Sequence, residues 1–195
     1  SSISVPMMSY VTRSCSESSR PTPEKRKARV GGRPMAASDK RDELEIDVQN
    51  ASSCEGIPRA ESLRRWVRHA LGGDRAVALT VRIVDEPEGA DLNERYRHGH
   101  GATNVLAFAA EVPDLPPADE LPLLGDLVIC APVLEREAGA QGKSLEAHWA
   151  HIAIHGALHL AGFAHDVATA AEAMEAREIE LLAALGFGDP YADDG

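Results

Sequence analysis

Cysteine pairs and long apolar runs are missing from this sequence, and each absence excludes a class of protein. The three cysteines, Cys15, Cys54 and Cys130, are scattered and form no Cys-x-x-Cys spacing. They therefore predict neither a disulfide framework nor a cysteine metal site, and they indicate a reducing compartment. No apolar run approaches the ~20 residues of a membrane-spanning helix, and the features of a secretory signal are not seen. We expect a cytoplasmic protein with no membrane contact.

Positive charge is also scarce outside the first part of the chain. Residues 1–40 hold eight Lys/Arg and three Asp/Glu, whereas residues 41–195 hold the other 12 Lys/Arg and 28 Asp/Glu and carry a net charge of −16. A domain with this negative charge binds phosphate backbones poorly unless it has a local binding feature. If the substrate is a nucleic acid, recognition must depend on a local patch, a metal ion or a partner.

Histidine, in contrast, is concentrated in one stretch, since half of the eight histidines lie in residues 151–166. His155 and His159 are four residues apart, so on a helix they project from one face. Gly162 offers a helix stop, after which the chain delivers His165. Three imidazoles around one ion, with an open position for water, are typical of a catalytic zinc site.

Two further features of the sequence narrow the choice of zinc ligands and of the reaction. His151 shares the helix face with His159 but lies ~12 Å away along the axis, so a straight helix cannot place both on one ion. A zinc peptidase of the His-Glu-x-x-His type carries its general base directly after the first histidine, and that position here is Gly156. Peptide hydrolysis by this route is therefore disfavoured.

The chain is predicted to consist of a disordered segment, residues 1–40, and one domain, residues 41–195. The segment is rich in Ser, Pro, Gly, Lys and Arg and shows no apolar period. Met35 is a candidate natural start, which would make the preceding residues an artefactual extension. An organelle transit peptide is the less favoured alternative, because Pro21 and Pro23 interrupt an amphipathic helix.

Apolar periodicity in the domain predicts a small α+β fold in which a mixed sheet packs on helices. The predicted order is strand, helix, strand, helix, two strands and three helices, at residues 44–48, 59–71, 77–83, 85–97, 104–108, 127–130, 132–140, 144–161 and 168–186. Residues 98–102 and 111–122 are predicted loops. The histidine-bearing helix is apolar nearly all round, so we expect it to be central and buried.

Three blocks of this domain match the pattern of one known family. They are Tyr96-Arg97 with Thr103–Phe108, then Leu124–Cys130, and then Gly142–His151 running into the histidine motif. In these blocks the sequence resembles the YbeY family of bacterial endoribonucleases that mature ribosomal RNA. The resemblance covers roughly residues 44–187. It implies a zincin-like fold, one zinc ion on His155, His159 and His165, and Arg97 as the functional arginine.

The resemblance also implies a function. It implies a zinc-dependent, single-strand-specific endoribonuclease that acts in 16S rRNA 3′-end maturation and ribosome quality control. The implied partners are single-stranded ribosomal RNA and the small ribosomal subunit, with its associated proteins or a ribosome-assembly GTPase. Either water activated by the zinc or the RNA's own 2′-hydroxyl would attack the phosphodiester, and the sequence leaves both routes open. Arg97 suits phosphate oxygens, and His98 and His100 are weaker candidates for RNA contact.

The sequence departs from the family pattern at three places. Phe163-Ala164 stands where the family has Tyr-Asp, the loop after Arg97 lacks the family's lysine, and Ala107 replaces a serine. Asp166 is a candidate replacement for the lost carboxylate, and His151 is a second candidate for an outer partner of the metal ligands. Two other functions stay open: a non-catalytic ribosome-assembly module with a structural zinc, and another metallohydrolase such as a peptidase.

Overall fold

A computed structural model describes residues 11–12, 44–72, 77–110, 122–163 and 168–192. Of the predicted N-terminal segment it describes Val11–Thr12, which form a two-residue strand. The other residues of that segment, and residues 111–121 of the predicted surface loop, lie outside the described residues. The division of the chain at residue 40 therefore stays a prediction.

The described residues form strands and helices in the predicted order, preceded by the short N-terminal strand. The strands are β1 (Val11–Thr12), β2 (Leu44–Asn50), β3 (Val77–Val84), β4 (Val105–Ala109) and β5 (Leu123–Cys130). The helices are α1 (Ala60–Leu71), α2 (Glu86–Arg97), α3 (Ala131–Ala140), α4 (Leu145–Leu160) and α5 (Ala168–Ala184). The predicted α+β fold class is confirmed.

The strands form one mixed sheet in the order β1-β4-β5-β3-β2. Strands β2, β3 and β5 are parallel to one another, as expected when a helix connects β2 to β3, whereas β4 runs antiparallel to β5. The short β1 pairs in parallel with the outer edge of β4. The two eight-residue strands β3 and β5 therefore lie side by side within the sheet.

Alternate residues of the strands face two different apolar cores, as the two-residue period of a strand requires. In β5, Leu127 and Ile129 belong to the larger core, and Val128 and Cys130 belong to the smaller one. The larger core contains the apolar faces of α1, α4 and α5, including the fully buried Trp66. The smaller core includes residues of α2 and α3.

Helix α4 is central to the larger core, as its all-round apolar sequence predicted. It packs against α1, α3, α5, β4 and β5. Trp149 and Leu158 are each 1% exposed. Because the helix is surrounded by other elements, its histidines are held in a packed environment and not on a free surface.

The largest error in a predicted strand boundary is at the start of β5. The sequence predicted a strand at residues 127–130, but β5 begins at Leu123. Pro122, Gly125 and Asp126 resemble turn residues, which hid the first half of the strand. In the fold, a side chain at Gly125 would meet the backbone oxygen of Phe108 at 2.2 Å, so glycine allows β4 and β5 to approach closely. No described helix combines the length and apolarity needed to cross a membrane.

Candidate metal centre on helix α4

The ends of α4 are fixed by local interactions that could be predicted from the sequence. The Ser144 hydroxyl accepts a hydrogen bond of 3.1 Å from the backbone N–H of Ala147, which caps the first turn. At the other end, Gly162 takes a φ of +96°, and the N–H of Phe163 donates to the carbonyl of Leu158 at 3.1 Å. These caps fix where the helix starts and ends, and so fix which turns carry histidine.

Gly156 follows the first histidine of the motif and lies against the sheet. A Cβ atom at this position would lie 2.2 Å from Cδ1 of Leu127 in β5. A glutamate here would therefore displace the buried Leu127 side chain from the core, which disfavours the glutamate of a zinc peptidase at this position. The structure thus adds a steric reason to the sequence argument against that type of peptidase.

His155 and His159 lie side by side on α4. Their ring centroids are 4.7 Å apart, and the ring planes make an angle of 80°. His159 is 1% exposed, and the His155 side chain is 14% exposed. The predicted third ligand, His165, and the predicted outer partner Asp166 lie outside the described residues. The complete ligand set therefore stays a prediction, although two of its members, His155 and His159, lie next to each other on α4.

Glu178 of α5 makes hydrogen bonds to two of the α4 histidines. Its side chain is fully buried. Oε1 lies 2.6 Å from Nδ1 of His155, and Oε2 lies 3.1 Å from Nε2 of His151. Burial alone would raise the pKa of this carboxyl, but the hydrogen bonds from His151 and His155 outweigh burial and hold the pKa at about 2. Glu178 is therefore ionised at neutral pH.

Tyr191, close to the end of the described chain, completes this network. Its hydroxyl donates to Oε2 of Glu178 and lies 3.3 Å from Nε2 of His151. Burial, followed by the neighbouring Glu178 carboxylate, raises the pKa of Tyr191, so the phenol stays protonated and remains a donor. Burial lowers the pKa of His151 even though Glu178 opposes this effect. We name the cluster of His151, His155, Glu178 and Tyr191 the Glu178 network.

The donor atoms of this region suit a transition metal ion. Imidazole nitrogens and carboxylate oxygens are zinc ligands, and the ligand atoms of His151, His155 and Glu178 lie within 4.8 Å of one another. His155 belongs both to this cluster and to the pair with His159. The residues present therefore fit a metal ion, and they offer Glu178 two alternative roles, as a ligand or as a partner of a ligand.

Arg97 ends helix α2, and its guanidinium is buried. Within the described residues, Nε, Nη1 and Nη2 have no hydrogen-bond partner. Burial lowers the pKa of Arg97, but a guanidinium stays protonated in proteins. A buried charge without a partner is costly, and this cost is relieved when an anion binds. His98, which takes a φ of +54°, and His100 follow Arg97 and are exposed.

The sequence reasoning missed Glu178 and Tyr191. A signal for Glu178 was present, because it falls on the apolar stripe of α5, four residues after Met174 and three before Leu181. A carboxylate on a buried stripe indicates a buried partner. No comparable signal marks Tyr191, since the contact depends on how the last turn of chain folds back.

Comparison with known proteins gives consistent matches over this domain. A family described as Endoribonuclease YbeY matches residues 47–186. A protein of Pseudomonas putida strain F1, named Endoribonuclease YbeY, is 56% identical over 152 residues, which cover 77% of this chain and 95% of the relative. A protein of the same name from Xanthomonas oryzae pv. oryzae is 54% identical over 153 residues, again covering 77% and 95%.

A solved structure is also similar. The solution structure of TM1509 from Thermotoga maritima is 22% identical in sequence and gives a TM-score of 0.47. The match covers 77% of this chain and 99% of that one.

Proposed function

The chain belongs to the endoribonuclease YbeY family, and from this premise we propose that it is a zinc-dependent enzyme that cuts single-stranded RNA. Family membership supports an endoribonuclease role, which makes the chain a hydrolase with an RNA substrate. We further propose that it acts in the cytoplasm, in 16S rRNA 3′-end maturation and ribosome quality control. Its proposed partners are the small ribosomal subunit with its proteins, or a ribosome-assembly GTPase.

The observation that carries the metal part of this proposal is the pair of imidazoles on buried helix α4. The His155 and His159 rings lie 4.7 Å apart, and Nδ1 of His155 lies 2.6 Å from the Glu178 carboxylate. Ligand histidines commonly donate their other ring N–H to a carboxylate in this way. His155, His159 and His165 would hold one zinc ion, which would activate a water and polarise a phosphoryl oxygen.

Arg97 is the proposed group for the phosphate. Its three guanidinium nitrogens are buried and have no hydrogen-bond partner within the described residues. A planar guanidinium binds two oxygens of a phosphate and stabilises negative charge that develops on them. We propose that Arg97 binds the scissile phosphate and that exposed His98 and His100 contact neighbouring parts of the RNA. The attacking oxygen belongs either to water or to the 2′-hydroxyl of the RNA.

The charge of the domain favours a single strand over a duplex. Residues 41–195 carry a net charge of −16, which opposes the sequence-independent attraction that binds duplex backbones. An unpaired strand is flexible and presents one phosphate to a recessed site at a smaller electrostatic cost. The catalytic unit in this proposal is residues 41–195.

The test is cleavage of a labelled single-stranded RNA by wild type, Arg97→Ala and Arg95→Ala. Arg95 lies on the same helix, but its side chain is 67% exposed and pairs with Asp91 at 2.9 Å, so it is a matched control. We expect Arg97→Ala to keep its zinc and its melting temperature while cleavage falls by ~10²-fold, the scale for losing a charge stabiliser. Arg95→Ala should cut like wild type.

The same assay includes chelator-treated protein and a duplex of the same sequence. Chelation should abolish cleavage, and the duplex should resist it. Activity that survives chelation, or an Arg97→Ala variant as fast as wild type, would contradict the proposed mechanism. If zinc-loaded wild type cuts no RNA while it binds ribosomal subunits, the non-catalytic assembly module is the correct function.

A further inference from the structure

Within the described residues, three histidines of α4 contact carboxylates, and they do not all use the same ring nitrogen. His148 and His151 contact carboxylates through Nε2, at 2.9 Å and 3.1 Å. His155 contacts Glu178 through Nδ1, at 2.6 Å. On a helical histidine Nε2 is the atom farther from the backbone. His148 and His151 thus contact a protein carboxylate through the outer ring nitrogen, whereas His155 does so through the inner one.

From this difference we propose that Glu178 is a positioning residue for the metal ligand His155. The Glu178 carboxylate accepts the N–H of Nδ1, which holds the proton on that nitrogen and puts the lone pair on Nε2, the nitrogen that would bind the ion. The proposal rests on the zinc site of the proposed function and adds to it a residue outside the three histidines. Sequence comparison of the histidine motif alone would not identify it.

The proton assignment follows from the chemistry of the two groups. An ionised carboxylate only accepts hydrogen bonds, so a short contact to Nδ1 requires that Nδ1 carries the proton. A neutral imidazole has one N–H, and its other nitrogen is then the one with the lone pair. Fixing the tautomer and the ring orientation removes the cost of selecting them when the metal binds.

The alternative is that Glu178 is itself a ligand, together with His151 and His155. Both carboxylate oxygens already have partners: Oε1 contacts His155, and Oε2 contacts His151 and Tyr191. A metal in their place would break these contacts. The carboxylate is also fully buried, whereas a catalytic zinc needs an open coordination position. Glu178 is therefore better suited to hold a ligand than to be one.

Glu178 is itself held in place from several sides. Its neighbours on the α5 stripe, Met174, Leu181 and Leu182, are at most 3% exposed and fix the helix against the core. Tyr191 donates to Oε2 from the end of the described chain. These contacts hold the carboxylate in the orientation in which it meets Nδ1 of His155, as a positioning residue requires.

The experiment compares Glu178→Gln with Glu180→Gln. Glu180 lies two residues further along α5, and its side chain is 68% exposed, so it is a control for the loss of one carboxylate. Two readouts do not depend on RNA cleavage. The first is the zinc Kd, from competition with a chromophoric chelator. The second is the tautomer of His155 in zinc-free protein, from long-range ¹H–¹⁵N spectra of the imidazole rings.

We expect zinc-free wild type to show His155 protonated at Nδ1. Glu178→Gln should lose this single tautomer, because an amide is a weaker acceptor and brings a competing donor, and its zinc Kd should rise by ~10–100-fold, the scale for an outer partner. Glu180→Gln should match wild type in both readouts. Tyr191→Phe keeps the carboxylate but removes one donor to it, and it should raise the Kd by a smaller factor.

Several results would overturn the proposal. One is a wild-type His155 protonated at Nε2; another is an unchanged zinc Kd in Glu178→Gln. A third is that His151→Ala weakens zinc binding as much as His155→Ala while His159→Ala does not, which would make Glu178 a ligand. If Glu178→Gln fails to fold, the wild-type tautomer and the Kd of Tyr191→Phe decide.

The failure of this proposal differs from the failure of the proposed function. If RNA cleavage requires zinc but the zinc Kd is the same in wild type and Glu178→Gln, the positioning role is wrong and the nuclease function stands. If the zinc Kd depends on Glu178 but the protein cuts no RNA, the nuclease function is wrong and the positioning role stands.

Discussion

Two of the histidine–glutamate pairs on helix α4, His148–Glu137 and His155–Glu178, differ in their surroundings. His148 pairs with Glu137 of α3 at 2.9 Å, and His155 pairs with Glu178 of α5 at 2.6 Å. Glu137 has a side chain that is 23% exposed, and Nδ2 of Asn104 lies 3.2 Å from it. Glu178 is fully buried in its network. We name the cluster of Asn104, Glu137 and His148 the Glu137 network.

The Glu137 network connects elements of the fold. Oδ1 of Asn104 accepts from the N–H of Val105 at 2.7 Å, and the backbone oxygen of Asn104 accepts from the N–H of Cys130 at 2.9 Å. The network thus ties α3 and α4 to the start of β4 and the end of β5. Nδ1 of His148 is buried and has no partner within the described residues. The His148 ring also lies edge-on to the ring of His151, with the centroids 6.3 Å apart.

The Glu178 network, in contrast, connects Glu178 of α5 and Tyr191 to His155, which lies beside His159. If the proposed zinc site is correct, the same pair of residue types serves two purposes on one helix. What separates them is the ring nitrogen that the carboxylate contacts, because this choice decides whether the outer nitrogen remains for a ligand. A histidine–glutamate contact alone does not identify a metal site.

The largest expected difference between the networks is in metal binding. His155→Ala and His159→Ala remove a proposed ligand each, so their zinc Kd should rise by more than the ~10–100-fold expected for an outer partner. His148→Ala removes a residue of the Glu137 network and should retain zinc. Metal analysis of the purified variants, after dialysis against a weak chelator, measures this. Full zinc retention in both His155→Ala and His159→Ala would refute the site.

A second difference is expected in acid, because Glu178 is strongly stabilised as an anion. Burial raises its pKa, but the histidine hydrogen bonds outweigh burial and set it at about 2, below the ordinary 4.5. A carboxylate with a depressed pKa contributes stability above its unfolded-state pKa and loses it as the pH falls through the folded-state value. Zinc-free wild type should therefore lose up to ~3 kcal/mol of unfolding free energy between pH 4.5 and pH 2 from this group.

Urea unfolding at a series of acidic pH values tests this loss. Glu178→Gln cannot ionise at this position, so its unfolding free energy should depend less on pH in that window. Glu180→Gln, which changes an exposed side chain on the same helix, should follow wild type. Parallel curves for Glu178→Gln and wild type would show that the Glu178 network does not stabilise the ionised carboxylate.

The smallest expected effect belongs to the Glu137 network. Asn104 is 5% exposed, and Asn104→Ala removes its hydrogen bonds to Glu137 and to the Val105 N–H. The free energy of unfolding should fall by ~1–2 kcal/mol, with an unchanged zinc Kd. Chemical denaturation and the zinc titration measure the two quantities. A weakened zinc Kd at full stability would mean that this network also serves the metal site.

The sequence predicted much of the fold because local patterns are enough for it. The Ser144 cap and the Gly162 stop define α4, and alternation defines β3, since these signals lie within one element. The first half of β5 was missed because Gly125 looks like a turn residue, and its real role, close approach to Phe108, involves a partner strand. The helical pair His155–His159 was predictable from spacing, because a helix brings residues four apart together.

The sequence by itself determined which residue types are available: a helix with histidines one turn apart, a glycine in place of a catalytic glutamate, and an acidic body around them. Only the tertiary structure decided how these residues are used. Glu178 lies 23 residues beyond His155 in the chain, and the packing of α5 on α4 brings its carboxylate to Nδ1. Spacing along a helix is fixed by local backbone geometry, whereas contacts between helices depend on how the whole core packs.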